Sequence, residues 1–303
     1  MRFAISIPQR VGAEGFDAVG FRNYVARAEE LGFESAWTQE QVLGPGHVLS
    51  PLEAMTYAAA CSERLRLGCA VFVLPLHSPL HLAKSVSSLD CLSHGRVEVG
   101  LVAGGPGRPY AAFGVDPSTS VARFNEALEL MKACWTEPQI SFDGRFWQVE
   151  GVSMTPKPAQ KPHPPIWMGG NRPAAVRRAV RRADGFFGAG SQTTEAFAQQ
   201  VQLARQELSS EGRDPASFRI AKRVYVHVDE DRDRAQEQIE AALERHYGFG
   251  GLGPVVVVGP PTECVAGLRE VASAGAELIQ LNPMVDEAEQ LERLAAEVVP
   301  ELL

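Results

Sequence analysis

Short apolar runs alternate with longer amphipathic stretches along almost the whole chain. That rhythm constrains the fold more tightly than any single motif. Residues 3–7, 35–37, 67–73, 97–102, 166–168, 184–188, 220–228 and 277–281 read as strands, several of them apolar on both faces. Between them lie helical patterns. Phe21, Val25, Ala28 and Leu31 share one face, with Gly32 as a stop, and Val121, Phe124, Leu128, Met131 and Trp135 share another. Strands that alternate with helices pair in parallel through helical crossovers. Eight such units close into a (β/α)8 barrel, the TIM barrel, and 303 residues suit one. The competing architecture is an open doubly wound sheet. The glycine-rich turn at residues 12–15, after the first strand, lacks the dinucleotide fingerprint that such a sheet would carry there.

Two segments sit outside the rhythm. Val255, Val256, Val257 and Val258 look like a ninth, accessory strand. Residues 106–165 form an insertion, expected over the C-terminal mouth of the barrel. Within it, Asp143-Gly144 between alternating apolar residues predicts a tight hairpin. We therefore expect a single domain spanning residues 1–303.

In such barrels chemistry sits at the C-terminal ends of the strands. The exits here are Gln9, Thr38 to Gln41, Phe72 to Ser78, Ala103 to Gly107, Gly169 to Asn171, Gly188 to Ser191, and Asn282. Small residues dominate. No cluster with metal-ligand spacing occurs, and no nucleophile elbow. A face of this kind suits a large flat cofactor. Its most informative part is Pro164-Pro165-Ile166-Trp167-Met168-Gly169-Gly170-Asn171-Arg172-Pro173, a buried strand that turns through two glycines directly into a helix. Asn171 suits the N-cap and Pro173 the first turn. The glycines let a ligand approach the backbone, and the helix N-terminus offers free N–H groups to a phosphate.

Charge and cysteines narrow the function classes. The formal net charge is −8, with no block of Lys or Arg, which argues against nucleic acid and anionic membranes. Five scattered cysteines without a C-x-x-C fit a reducing cytoplasm rather than disulfides or zinc. We expect no metal, a small-molecule substrate and a cytoplasmic location.

Several motifs, in this order, resemble the bacterial luciferase-like family of FMN-dependent monooxygenases and coenzyme F420-dependent oxidoreductases. They are Trp37 to Glu40; Leu67-Gly68 through Pro75, with Pro79 and Lys84; Leu92-Ser93-His94-Gly95-Arg96; Phe142-Asp143-Gly144; residues 164–170; Ala183-Asp184-Gly185-Phe186; Gly259-Pro260-Pro261-Thr262-Glu263; Ala274-Gly275-Ala276; and Leu281-Asn282-Pro283. The resemblance covers essentially the whole chain. It implies a cis peptide bond at or beside Ala70-Val71, supporting the flat ring. It also implies that Ala103-Gly104 lie along that ring, that Gly169-Gly170-Asn171 hold the phosphate, and that Gly188 and Ser191 lie near the cofactor.

Departures from the family shape the catalytic expectation. Relatives place His after the acidic residue of the second strand, and this chain has Gln41. Glu40 becomes the first candidate acid or base, followed by His77 and His47. Residues 188–194 hold neither Lys nor Arg, where some deazaflavin enzymes use a cation. Trp37, Gln41, Phe72 and Tyr110 are the expected walls of the substrate pocket. The resulting expectation is hydride transfer between coenzyme F420 and an organic substrate, in a homodimer. The alternative is an FMN-dependent monooxygenase using oxygen, and the rival from another class is a flavin-binding protein without turnover.

Overall fold

The computed structural model describes every residue of the chain except 13 and 106. Among them, parallel strands β1 (Arg2–Ser6), β2 (Ser35–Thr38), β3 (Arg66–Val73), β4 (Val97–Val102), β7 (Ile166–Met168), β8 (Gly185–Gly188), β9 (Arg219–Val228) and β11 (Leu278–Asn282) pair in that order. Pairing of β11 with β1 closes the ring. Helices α1 (Ala18–Glu30), α2 (Pro51–Ala59), α3 (Pro79–Leu92), α4 (Ser120–Thr136), α5 (Pro173–Arg182), α6 (Thr194–Ser210), α7 (Arg232–Tyr247), α8 (Pro261–Ser273) and α9 (Glu287–Arg293) connect or follow the strands. The expected (β/α)8 barrel is present.

The accessory strand is also present, as β10 (Val256–Gly259). Tyr225 of β9 partners Asn282 on one side and Val256 on the other. β8 pairs with β9 only as far as Lys222, so β10 takes over the same edge of β9 above it.

Large and small residues alternate inside the ring. Trp37, Trp167 and Phe187 meet edge to face, with ring centroids 4.8–6.0 Å apart. Gly68 and Gly185 make the room, since a Cβ on either would lie 2.4 Å from the Trp37 ring and 2.6 Å from the Trp167 ring respectively. Below this layer Glu98 binds the Arg66 guanidinium at 2.5 Å and accepts from the Trp167 indole N–H. The main core lies between the strands and the surrounding helices.

The segment 106–165 departs from expectation, and Pro106 itself lies outside the described residues. Residues 120–136 are the fourth barrel helix, α4. The hairpin of β5 (Ile140–Asp143) and β6 (Gln148–Val152) packs on its outer side. Glu126 of α4 accepts the backbone N–H groups of Arg145, Phe146 and Trp147 at 2.7–3.1 Å, and Gly144 N–H donates to Trp147 O at 2.9 Å, so the turn centres on Arg145-Phe146 rather than on Asp143-Gly144. The proline-rich return lies along α3, where Ser87 donates to Pro156 O and Asp90 accepts from Gln160. The physical reason is that Phe142, Trp147 and Met154 find apolar partners on the barrel wall. The stretch at the β4 exit is residues 107–119, where Tyr110 folds back onto Ala103.

Candidate active site

β3 and β4 build one side of the mouth. The Ala70–Val71 peptide bond is cis, at the place the resemblance implies. The β3–β4 register shifts between Cys69 and Phe72. Gly100 of β4 accepts this irregularity because a Cβ there would lie 2.2 Å from Cys69 O. Val71, half-buried, faces Gly100 and Gly169. Gly104 has φ +78°, and a Cβ on it would strike the Tyr110 hydroxyl and Val73. Tyr110 donates that hydroxyl to Ala103 O at 3.1 Å and is nearly buried. Ala70, Val71, Ala103 and Gly104 thus form a strip of small side chains and backbone around the ends of β3 and β4.

The opposite lip is the Gly169-Gly170-Asn171 turn. Gly170 has φ +142° and a Cβ on it would lie 2.5 Å from the Ala175 Cβ, so the turn needs glycine on two counts. The helix cap is Arg172 rather than Asn171, and no side chain caps α5. Asn171 is exposed one residue earlier. Pro173 has no N–H and Ala175 N–H donates to Arg172 O at 2.8 Å, so the uncapped N-terminus behind the two glycines offers an anion the Ala174 N–H and the helix dipole. Together, the two lips offer a strip for a flat ring and an N-terminus for a phosphate, and they fit a flavin-like cofactor.

The acid–base candidates separate. Glu40 is buried, with 3% of its side chain exposed. One carboxylate oxygen accepts the Val73 N–H at 2.7 Å and the other lies 2.6 Å from His77 Nε2. An ionised carboxylate only accepts, so Nε2 carries the proton in that contact and Nδ1 is left free. His77 is the more open member of the pair at 24%. His47 is exposed on its loop, and its carbonyl accepts from Val11 N. No hydrogen bond joins its ring to the pair among the described residues.

The expected pocket walls divide in the same way. Trp37 and Phe72 are 0% and 1% exposed, so neither side chain offers surface at the mouth for a ligand to touch. Gln41 donates to His246 O at 3.0 Å, and a Cβ at Gly44 or Gly46 would press on its side chain; it is committed to its own loop and α7. Gly188 is buried with its Cα toward the Phe197 ring of α6, and Ser191 is exposed in the turn beyond. Tyr110 packs beside Gly104 and is itself 5% exposed.

Three features escaped sequence reasoning. Arg223 of β9 reaches across the barrel to Ala70 O at 3.2 Å. Tyr225 and Tyr247 share a hydroxyl–hydroxyl hydrogen bond beside it. Lys222 donates to the carbonyls of Ala189 and Gln192, tying the turn after β8 to β9. Burial pushes the Lys222 ammonium down to about 7. Burial, with Arg10 and Arg223 nearby, pushes His246 down to about 4. The available signal was a Lys-Arg pair inside a largely apolar strand.

Comparisons with known proteins agree with this geometry. A family profile described as luciferase-like monooxygenase matches residues 1–254. An F420-dependent glucose-6-phosphate dehydrogenase of Beutenbergia cavernae is 27% identical, over 97% of this chain and 96% of that protein. Its namesake from Kineococcus radiotolerans is 24% identical, over 98% and 96%. Among solved structures, monooxygenase RslO1 from Streptomyces bottropensis superposes with a TM-score of 0.87 at 25% identity, covering 100% of both chains. An F420-dependent secondary alcohol dehydrogenase shares the fold, with a TM-score of 0.86 at 16% identity over 100% and 99%. With the profile spanning most of its length and the barrel closed as described, the chain belongs to the luciferase-like monooxygenase family of oxidoreductases.

Proposed function

We propose that the chain is a coenzyme F420-dependent oxidoreductase that moves a hydride between the deazaflavin and a small organic substrate. The observation that carries this reading is the Glu40–His77 pair at the β2 and β3 exits. Hydride delivery to a C=C, C=N or C=O bond leaves charge on the acceptor, and a positioned acid contributes about 10²–10⁴-fold. The cofactor, when bound, supplies or accepts the hydride. The chain does the rest. Glu40 fixes the His77 tautomer with Nε2 protonated, so Nδ1 takes up a proton when the substrate is oxidised and, as the imidazolium, returns one when it is reduced. The Val71 and Gly104 strip orients the ring, and the α5 N-terminus with Gly169, Gly170 and Asn171 holds the phosphate. Full-length similarity to two F420-dependent dehydrogenases supports the choice of cofactor.

A second reading, an FMN-dependent monooxygenase, is favoured by the 25% identity to monooxygenase RslO1 over both full lengths. The two separate on oxygen. Turnover of reduced F420 with a substrate panel under argon supports the first reading. Turnover that requires oxygen and consumes it with reduced FMN supports the second. Cofactor binding with no turnover across the panel would sink both and leave a flavin-binding protein. We also propose a cytoplasmic homodimer; a monomeric mass by light scattering at micromolar concentration contradicts the dimer.

A further inference from the structure

The barrel mouth holds a cation that no carboxylate pairs with among the described residues; the Tyr225 ring lies 5.5 Å from its guanidinium carbon. Arg223 lies on the seventh strand of the ring, and its Nη1 donates to Ala70 O on the third. Strands three and seven face each other across an eight-stranded barrel, so the guanidinium crosses the axis just where the ring strip begins. Its Nη2 is 3.4 Å from the Tyr247 hydroxyl, a long contact. Its Nε–H is buried and has no acceptor among the described residues.

The neighbouring charges are already engaged. Glu40 is held by His77 and Val73 N–H. Glu287 pairs with Arg10 at 2.7 Å. No carboxylate lies within ion-pair distance of Arg223 among the described residues. A second donor nearby is also idle. Asn282, beside Tyr225 in register and 2% exposed, has a buried Nδ2 without a partner. Gly190 closes over the guanidinium, since a Cβ there would lie 2.9 Å from Nε and from the Tyr225 ring.

A structural hydrogen bond to Ala70 O would need only a neutral donor. A half-buried cation without a counter-ion is costly, and unfilled donors at a ligand mouth mark where an acceptor sits when the ligand is bound. Resting on the proposed hydride-transfer function, we infer that Arg223 recognises an anionic oxygen of the substrate, making the substrate class organic carboxylates. The planar guanidinium matches a carboxylate geometrically, and the Tyr247 hydroxyl and Asn282 amide are the additional donors. Seated there, the acidic end anchors the substrate on the β9 side. The reacting carbon is left toward the Glu40–His77 pair on the β2–β3 side. Arg223 is in this role a substrate-binding residue that sets specificity.

The test uses the protein without cofactor and two probes of equal shape, benzoate and its neutral isostere benzamide, titrated by calorimetry. FMN and coenzyme F420 are titrated separately. Wild type is expected to bind benzoate at least about tenfold more tightly than benzamide, as a charge-assisted contact requires. In Arg223→Met the preference is expected to vanish, and in Arg223→Lys to shrink, with both cofactor affinities nearly unchanged. Gly190→Ala, which keeps the arginine but crowds it, is expected to weaken benzoate selectively. It also serves as the readout if Arg223→Met misfolds by circular dichroism. Equal binding of the two probes to wild type overturns the inference. So does a loss of FMN or F420 in Arg223→Met as large as the loss of benzoate, because the anion is then the cofactor's. Failure of both cofactors to bind wild type counts against the functional reading alone, since the benzoate comparison is made without cofactor.

Discussion

Glu40→Gln and His77→Gln, singly and together, separate the proton donor from the group that holds it. Glu40 is buried and both its oxygens are engaged, at 2.7 Å with Val73 N–H and at 2.6 Å with His77 Nε2. The amide keeps an oxygen for Val73 but turns the charge-assisted contact with His77 into a neutral one. Hydrogen bonds to charged groups contribute about 1.5–3 kcal/mol and neutral ones about 0.5–1.5. The difference, about 1–2 kcal/mol, corresponds to roughly 5- to 30-fold in rate if it is expressed fully in the transition state. Removing His77 removes the acid itself and is expected to cost about 10²–10⁴-fold. Because Glu40 acts through His77, the double variant is expected to be no slower than His77→Gln alone. The assay is single-turnover oxidation of the reduced cofactor by stopped flow under argon, across pH, with cofactor affinity measured on each variant. A Glu40→Gln loss as large as the expected His77 loss, with His77→Gln near wild type, would refute the relay and make Glu40 the acid. Multiplying losses in the double variant would also refute it.

Three further outcomes follow from the same geometry. Asn171→Asp places a negative charge beside the proposed phosphate site; at about 5 Å and an effective dielectric constant between about 20 and 80, repulsion of about 1–3 kcal/mol per unit charge predicts a 5- to 150-fold weaker cofactor Kd. The same acid near the α5 N-terminus is expected to leave the urea midpoint unchanged or slightly raised, so weaker binding accompanied by lower stability contradicts the assignment. His246 is held near 4 against an ordinary value of about 6.5, so the unfolded state binds the extra proton in that window and stability falls as pH drops through it. Subtracting the unfolding curves of His246→Gln should reveal a term of up to about 3 kcal/mol between pH 6.5 and 4, and a flat difference refutes it. Gly68→Ala drives a methyl into the Trp37 ring and is expected to cost about 1–3 kcal/mol in urea unfolding; a neutral effect would mean the indole has room to move.

The barrel was legible because its signal is local. Apolar runs and helical faces repeat along the chain, and even the extra strand β10 announced itself as four valines. The glycine turn was legible for the same reason, since strand, Gly169-Gly170 and Pro173 lie within ten residues. What depends on distant partners was not. Trp37 stands at a strand exit in sequence, but Gly68 on the neighbouring strand opens a space inside the barrel that draws it from the mouth. The hairpin turn lies at Arg145-Phe146 rather than at Asp143-Gly144 because Glu126, about twenty residues earlier, holds three N–H groups there. Glu40 ranked first as the acid, yet only the fold shows its oxygens already occupied and His77 as the open partner. Arg223 carries no motif; its meaning comes from reaching a carbonyl 153 residues away.

The proposal that this mouth is a deazaflavin site is tested most directly by titrating the purified protein with coenzyme F420 and, in parallel, FMN, following the change in cofactor fluorescence to saturation. Saturable binding of F420 is expected at one per chain, tighter than FMN and weakened by Asn171→Asp. Absence of saturable binding by F420, or FMN binding the more tightly of the two, would contradict it.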